Sequence, residues 1–183
     1  MTAVAIDFGT SNTVVSILET DLQTPKTLRL PEISRLFGGQ GAASTSDVAV
    51  IPSLVFVRGN DDIVIGEPVR SQRLGLLQPQ RFFRTFKRDL AADFQPPTRT
   101  LDGQAFNAEG IAQTFLTRLW QMLQAEKIQA SSLILTVPVG AFERYLDWFQ
   151  RVAEDLGLPE VKFVDESTAV SYTHLTLPTI YSV

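Results

Sequence analysis

Seven residues near the start of the chain, Asp7-Phe8-Gly9-Thr10-Ser11-Asn12-Thr13, have the types and spacing that phosphate chemistry needs. Gly9 tolerates backbone angles closed to other residues and leaves room for a ligand to come close. The amides and hydroxyls of Thr10, Ser11 and Asn12 would line a concave turn of donors, the arrangement that takes a phosphate. Asp7 stands in an otherwise apolar stretch, where a carboxylate is costly unless it is paired, hydrogen-bonded or beside a cation. Next to a phosphate turn the economical partner is Mg2+ with its shell of water. A plain hairpin ending in an exposed acid has the same spacing, so the surrounding elements have to decide between the two.

Val4 to Ile6 and Val14 to Leu18 are apolar runs on either side of the motif, which predicts a tight β-hairpin. Lys26 to Leu30 supplies a third short strand, and the Gly- and Ser-rich stretch from Gly38 to Ser46 reads as a mobile loop. Val48 to Val57 contains Pro52, which predicts an edge strand or a strand beginning after the proline. Asn60-Asp61-Asp62 then turns into Ile63-Val64-Ile65 to complete a second hairpin. Pro68 to Leu77 and Gln80 to Leu90 read as short helices, before Pro96-Pro97 breaks the chain.

Asn107 is a good N-cap for a helix from Ala108 to Lys127, with Ile111, Phe115, Leu119 and Met122 along one face. The continuous run Leu133-Ile134-Leu135-Thr136-Val137 predicts a strand covered on both faces. A second helix carries Phe142, Tyr145, Leu146, Phe149 and Val152 at helical spacing and ends at Gly157, with Pro159 just beyond. Val161 to Val164 is one more strand. Helix and strand alternate through this half, which implies an α/β fold with parallel strands and right-handed crossovers.

Composition narrows the function classes. Of 183 residues 44% are hydrophobic, enough for one core or two small subdomains. A formal net charge of -4 disfavours a nucleic-acid surface, so no nucleic-acid partner is expected. No apolar run reaches the ~20 residues of a membrane span, and Asp7 interrupts the start too early for a signal peptide, so no membrane partner is expected either. The absence of cysteine rules out disulfides and thiolate metal sites and fits a reducing cytoplasm.

The motif Asp7-Phe8-Gly9-Thr10-Ser11-Asn12-Thr13 resembles the first phosphate motif of the actin-like ATPase superfamily. The order of hairpin, third strand, helix, strand, helix and strand is similar to that superfamily's ribonuclease-H-like half-domain. Residues 1–30 and 101–170 would form that mixed sheet with flanking helices, and residues 31–100 a small inserted subdomain. Further segments resemble the DnaK-type, 70-kDa heat-shock branch: Ile51-Pro52-Ser53-Leu54-Val55, Ile65-Gly66-Glu67-Pro68-Val69-Arg70-Ser71-Gln72, Phe86-Lys87-Arg88, Thr136-Val137-Pro138 followed by Arg144, and Val164-Asp165-Glu166-Ser167-Thr168-Ala169. The resemblance implies a chaperone ATPase that binds ATP or ADP with Mg2+. Asp7 and Glu166 would place the ion and its waters, while Gly9, Thr10, Ser11 and Asn12 hold the β- and γ-phosphates. It also implies unfolded polypeptide clients and co-chaperones as partners, and a cytoplasmic location.

Two departures from that family stand out. Arg70 occupies the position where the chaperones carry a catalytic lysine. A guanidinium still stabilises a γ-phosphate, but as a rigid fork and never as a base; Arg73 is the neighbouring candidate for the same role. The sequence also contains only the first lobe of a site that the family closes between two, and a lobe cut short. Residues 171–183 resemble translated adapter read-through and are set aside as a non-native tail, so His174, the only histidine, receives no role. Alternatives within the superfamily are an actin-like filament-forming ATPase, against which Phe86-Lys87-Arg88 argues, and a nucleotide-binding regulator that no longer hydrolyses ATP. A sugar kinase lacks any recognisable sugar-binding acid here.

Overall fold

The computed structural model describes residues 2–19, 25–37, 48–92, 94–137 and 142–165. Strand β1 (Thr2–Phe8) alternates Val4, Ile6 and Phe8, all buried, with Ala3, Ala5 and Asp7 on its other face. Strand β2 (Asn12–Glu19) returns antiparallel, with Phe8 opposite Thr13 and Ile6 opposite Val15. Short strand β3 (Lys26–Thr27) pairs with Ser16 and Ile17 of β2. Strands β4 (Arg35–Phe37) and β5 (Val48–Pro52) extend the same sheet, because β5 pairs with β2 at Asn12 and Thr13. The loop expected from Gly38 to Ser46 lies outside the described residues.

Beyond Ser53 the chain enters a second, three-stranded sheet. There β6 (Leu54–Val57) lies between β7 (Ile63–Ile65) and β8 (Phe82–Arg84). Pro52 therefore marks no edge strand, although a strand does begin after it, at Leu54, as expected. It ends β5 at the point where the chain changes sheets, and both β5 and β6 have a partner on each side. The short helix expected from Pro68 to Leu77 is instead two, α1 (Glu67–Ser71) and α2 (Leu74–Leu77), broken at Arg73, whose φ is 53°. The helix expected from Gln80 to Leu90 is instead a 3-10 turn, then β8, then α3 (Phe86–Ala91). Phe82 and Phe83 gain more from pairing with Phe56 and Val55 on β6 than from their weak helix propensity. A hairpin of β9 (Arg99–Leu101) and β10 (Gln104–Phe106) was not foreseen. Its two-residue loop, Asp102-Gly103, has both φ angles positive, at 50° and 83°, as a type I′ turn requires.

Helix α4 (Ala108–Ala125) begins as expected, with the Asn107 side chain accepting from the Gly110 amide at 2.8 Å. It leads into β11 (Ala130–Val137), which lies parallel to β1. Helix α5 (Phe142–Leu156) then leads into β12 (Val161–Asp165), which lies parallel to β11. The main sheet thus has the order β12-β11-β1-β2-β5-β4, an α/β arrangement with a mixed sheet. Both long helices pack on the face that carries Phe8. Its ring lies 5.8 Å from that of Phe115 on α4, and Phe163 of β12 meets Phe149 of α5 edge-on at 5.8 Å.

Strand β11 is not covered equally on its two faces. Leu133, Leu135 and Val137 are buried while Ile134 and Thr136 are only half-buried, so the apolar run reflects its place between two neighbours. The core is continuous between the two sheets through Phe86, which packs against both Phe8 and Phe115. Truncating one such buried ring costs about 3–5 kcal/mol. No helix among the described residues is long and apolar enough to cross a membrane.

Candidate functional site

The turn between β1 and β2 is built from its own backbone and a brace from β5. The Gly9 amide donates to the Asp7 carbonyl at 3.1 Å, and Ser53 clamps the other side. Its Oγ donates to the Gly9 carbonyl at 2.7 Å, and its amide donates to the Ser11 carbonyl at 3.0 Å. The buried Thr13 hydroxyl lies 3.0 Å from the same Oγ. Gly9 is not in the left-handed region, contrary to the expectation of special backbone angles. What glycine supplies is space for the chain itself, because a Cβ there would overlap the Asn12 carbonyl oxygen.

These contacts use the Gly9 and Ser11 carbonyls inside the scaffold. The side chains of Thr10, Ser11 and Asn12 have no hydrogen-bond partner among the described residues, and Ser11 is exposed. A turn whose Gly9 and Ser11 carbonyls are occupied and whose side-chain donors are open suits an anion.

Asp7 lies beside this turn at the carboxyl end of β1, exposed and on the face opposite Phe8. The Thr136 hydroxyl of β11 donates to its Oδ1 at 2.7 Å, which leaves Oδ2 open. Register carries the same edge onward, since Val137 of β11 pairs with Asp165 of β12. Asp7 and Thr136 therefore share one face at the carboxyl ends of adjacent parallel strands, where ligands of α/β sheets characteristically bind, while Asp165, in register with Val137, lies on the opposite face. Glu166, the expected second acid, is the next residue and lies outside the described ones. Among the described residues no three or more His, Asp or Glu side chains converge on a metal site. Mg2+ commonly takes only one or two carboxylates and completes its shell with water and substrate phosphate, so a single open Asp7 oxygen fits that role.

Arg70 sits elsewhere. The start of α1 is fixed by Gly66, at φ 74°, where a Cβ would come within 2.6 Å of the Ile33 carbonyl oxygen. The Glu67 amide donates to that same oxygen at 2.9 Å. One turn on, Arg70 pairs with Glu67, its Nε 3.1 Å from Oε2, and its side chain is 54% exposed. Arg70 and Arg73 line a cavity of about 780 Å3 that none of residues 7–12 lines. The structure joins the turn, Asp7 and the carboxyl strand ends into one site, and it does not bring Arg70 into contact with them.

Ser53 and Thr136 received no individual role from sequence, although the segments Ile51-Pro52-Ser53-Leu54-Val55 and Thr136-Val137-Pro138 that contain them were the available signal. Lys87 is a third such residue. It is 4% exposed, with its Nζ 5.8 Å from the centroid of the Phe8 ring, just behind the turn. Its place in Phe86-Lys87-Arg88 was the available signal. No family model matches the chain.

Proposed function

We propose that the chain is the first lobe of a nucleotide-binding ATPase of the actin-like superfamily, of the DnaK type. One observation carries the reading: a turn with open donors lies beside an acid that Thr136 already holds, at the carboxyl ends of parallel strands. The sheet supports the ribonuclease-H-like assignment, with an antiparallel set β1 to β3 followed by two parallel strands reached through two long helices. Thr10, Ser11 and Asn12 donate to phosphate oxygens, and Asp7 orients water through its free oxygen. When bound, Mg2+ supplies neutralising charge to the phosphates. Glu166, the next residue in sequence after β12, would share with Asp7 in placing the ion and its waters. Polypeptide clients, co-chaperones and a cytoplasmic setting belong to the same proposal.

The test is Mg2+-dependent ATP turnover in the protein that carries this lobe together with a second one. Turnover is expected in the wild type and lost in Asp7→Ala, with an unchanged circular dichroism spectrum. Turnover that keeps its Mg2+ dependence in Asp7→Ala would reduce Asp7 to a hairpin residue.

A nucleotide-binding regulator without hydrolysis is the second reading. The Arg70–Glu67 pair favours it, because a guanidinium engaged by a neighbouring carboxylate is not free for a γ-phosphate.

A further inference from the structure

The cavity beside α1 is a second site, chemically unlike the phosphate turn. Its floor is apolar, with Phe83, Phe86 and Phe106 buried and Phe82 half-buried. Among the described residues five arginines line it, Arg70, Arg73, Arg84, Arg88 and Arg99, against one acid, Asp89. A chain of net charge -4 has therefore gathered positive charge around one apolar hollow. Two of the five are committed. Arg70 pairs with Glu67, while Arg99 donates to the Phe82 carbonyl at 2.8 Å and stacks 4.5 Å over the Phe83 ring. Arg73, Arg84 and Arg88 are exposed and have no side-chain hydrogen bond or ion pair among the described residues.

The backbone here is also unusual. Arg73 and Thr85 line the cavity, and both are non-glycine residues in the left-handed region, at φ 53° and 60°. Such conformations are costly for residues that carry a Cβ and cluster at functional sites. One wall is β8, an edge strand of the three-stranded sheet, and Phe82, Phe83 and Arg84 all contribute to the lining. The Phe82 and Arg84 carbonyls of this strand already accept from Arg99 and from the Thr85 hydroxyl, so the wall offers a ligand its side chains and not its backbone edge.

We propose that this cavity binds a short extended peptide segment that alternates acidic with aromatic or aliphatic side chains. The apolar side chains enter over Phe82, Phe83 and Phe106, and the carboxylates meet Arg73, Arg84 and Arg88. At about 780 Å3 the hollow is roomier than one side chain needs and within the range of specific ligand sites. Charges distributed around an apolar floor favour a segment with several separated carboxylates over a compact anion. The proposal does not rest on the nucleotide reading, since no residue of the phosphate turn lines the cavity.

Fluorescence anisotropy on the 183-residue chain tests it, with a labelled peptide of alternating Glu and Phe as the probe. Binding is expected for that peptide, but not for its Lys-Phe or Glu-Ser counterparts. It should weaken by about tenfold in about 0.5 M salt, which screens exposed charge. Arg84→Glu combined with Arg88→Glu should weaken it about tenfold or more, and Arg73→Glu separately should also weaken it, all with unchanged thermal melting. Displacement by equimolar inorganic pyrophosphate would make this a small-anion pocket and overturn the peptide assignment. Equal binding of the Glu-Ser peptide, or full affinity in all the arginine variants, would overturn it as well.

Discussion

The Thr136 hydroxyl donates to the Asp7 carboxylate at 2.7 Å across 129 residues of sequence, and so ties the carboxyl ends of β11 and β1. A hydrogen bond to a charged group contributes about 1.5–3 kcal/mol where it is shielded, and less where water competes, as at this exposed edge. Its main consequence is orientation. With Oδ1 held, Oδ2 has a defined direction, and catalysis by positioning depends on such restraint. In the two-lobed protein, Thr136→Val is expected to lower Mg2+-dependent turnover by about tenfold and to raise the Mg2+ concentration needed for half-maximal rate. Steady-state rates over a Mg2+ titration measure both. An unchanged titration curve would make the bond purely structural.

The Gly9–Ser53 clamp should show first in stability. Gly9→Ala forces a methyl group against the Asn12 carbonyl oxygen, so the turn must open, at a cost of about 1–3 kcal/mol. Ser53→Ala removes the donor to the Gly9 carbonyl and one neighbour of the buried Thr13 hydroxyl, for about 1–2 kcal/mol. Urea unfolding of each variant checks the values. A midpoint equal to the wild type's for Gly9→Ala would mean that the turn is looser than described.

Arg70→Ala separates the two readings of function. Its pair with Glu67 is solvent-exposed, so the substitution should change stability by less than about 1 kcal/mol. If Arg70 meets the γ-phosphate only in the transition state, kcat falls while nucleotide affinity holds. Single-turnover hydrolysis with a parallel binding titration tells these apart. Equal hydrolysis in variant and wild type transfers the role to Arg73 or abandons it.

Acid should weaken the β9–β10 hairpin in a predictable direction. Arg81 grips Asp102 through two bonds, at 2.6 Å and 2.7 Å, and this hydrogen bonding, with the attraction of the guanidinium, holds the carboxyl below its ordinary 3.8 against a smaller opposing effect of desolvation. A depressed carboxyl stabilises the fold above its unfolded pKa, and the contribution disappears as pH falls through the folded value. Wild type should therefore lose its advantage over Asp102→Asn below about pH 4, and not in the alkaline range, where Arg81 stays charged. Paired thermal melts across that window are the measurement; a constant difference down to about pH 2 would remove the pair from the acid response.

The sequence by itself determined the elements whose periodicity is local. The β1–β2 hairpin followed from two apolar runs about a glycine turn, and α4 from Asn107 and a repeating apolar face. The end of α5 followed from Gly157, which adopts φ 58°. Asp7 and the turn residues were legible as a candidate site because a carboxylate in an apolar strand conflicts with burial. Tertiary structure alone decided the rest. Phe82 and Phe83 became strand because β6 offered partners, a pairing that no local pattern contains. Pro52 ended a strand because the chain changes sheets there, and Gly9 proved necessary for space and not for φ. The contacts of Ser53 with Thr13 and of Thr136 with Asp7 join residues 40 and 129 positions apart, and the arginine-lined cavity gathers residues from several elements. The segments that hold Ser53 and Thr136 were marked by their resemblance, but the bonds these side chains make were not, because a hydrogen bond or a shared hollow is a property of folded distance and not of residue type.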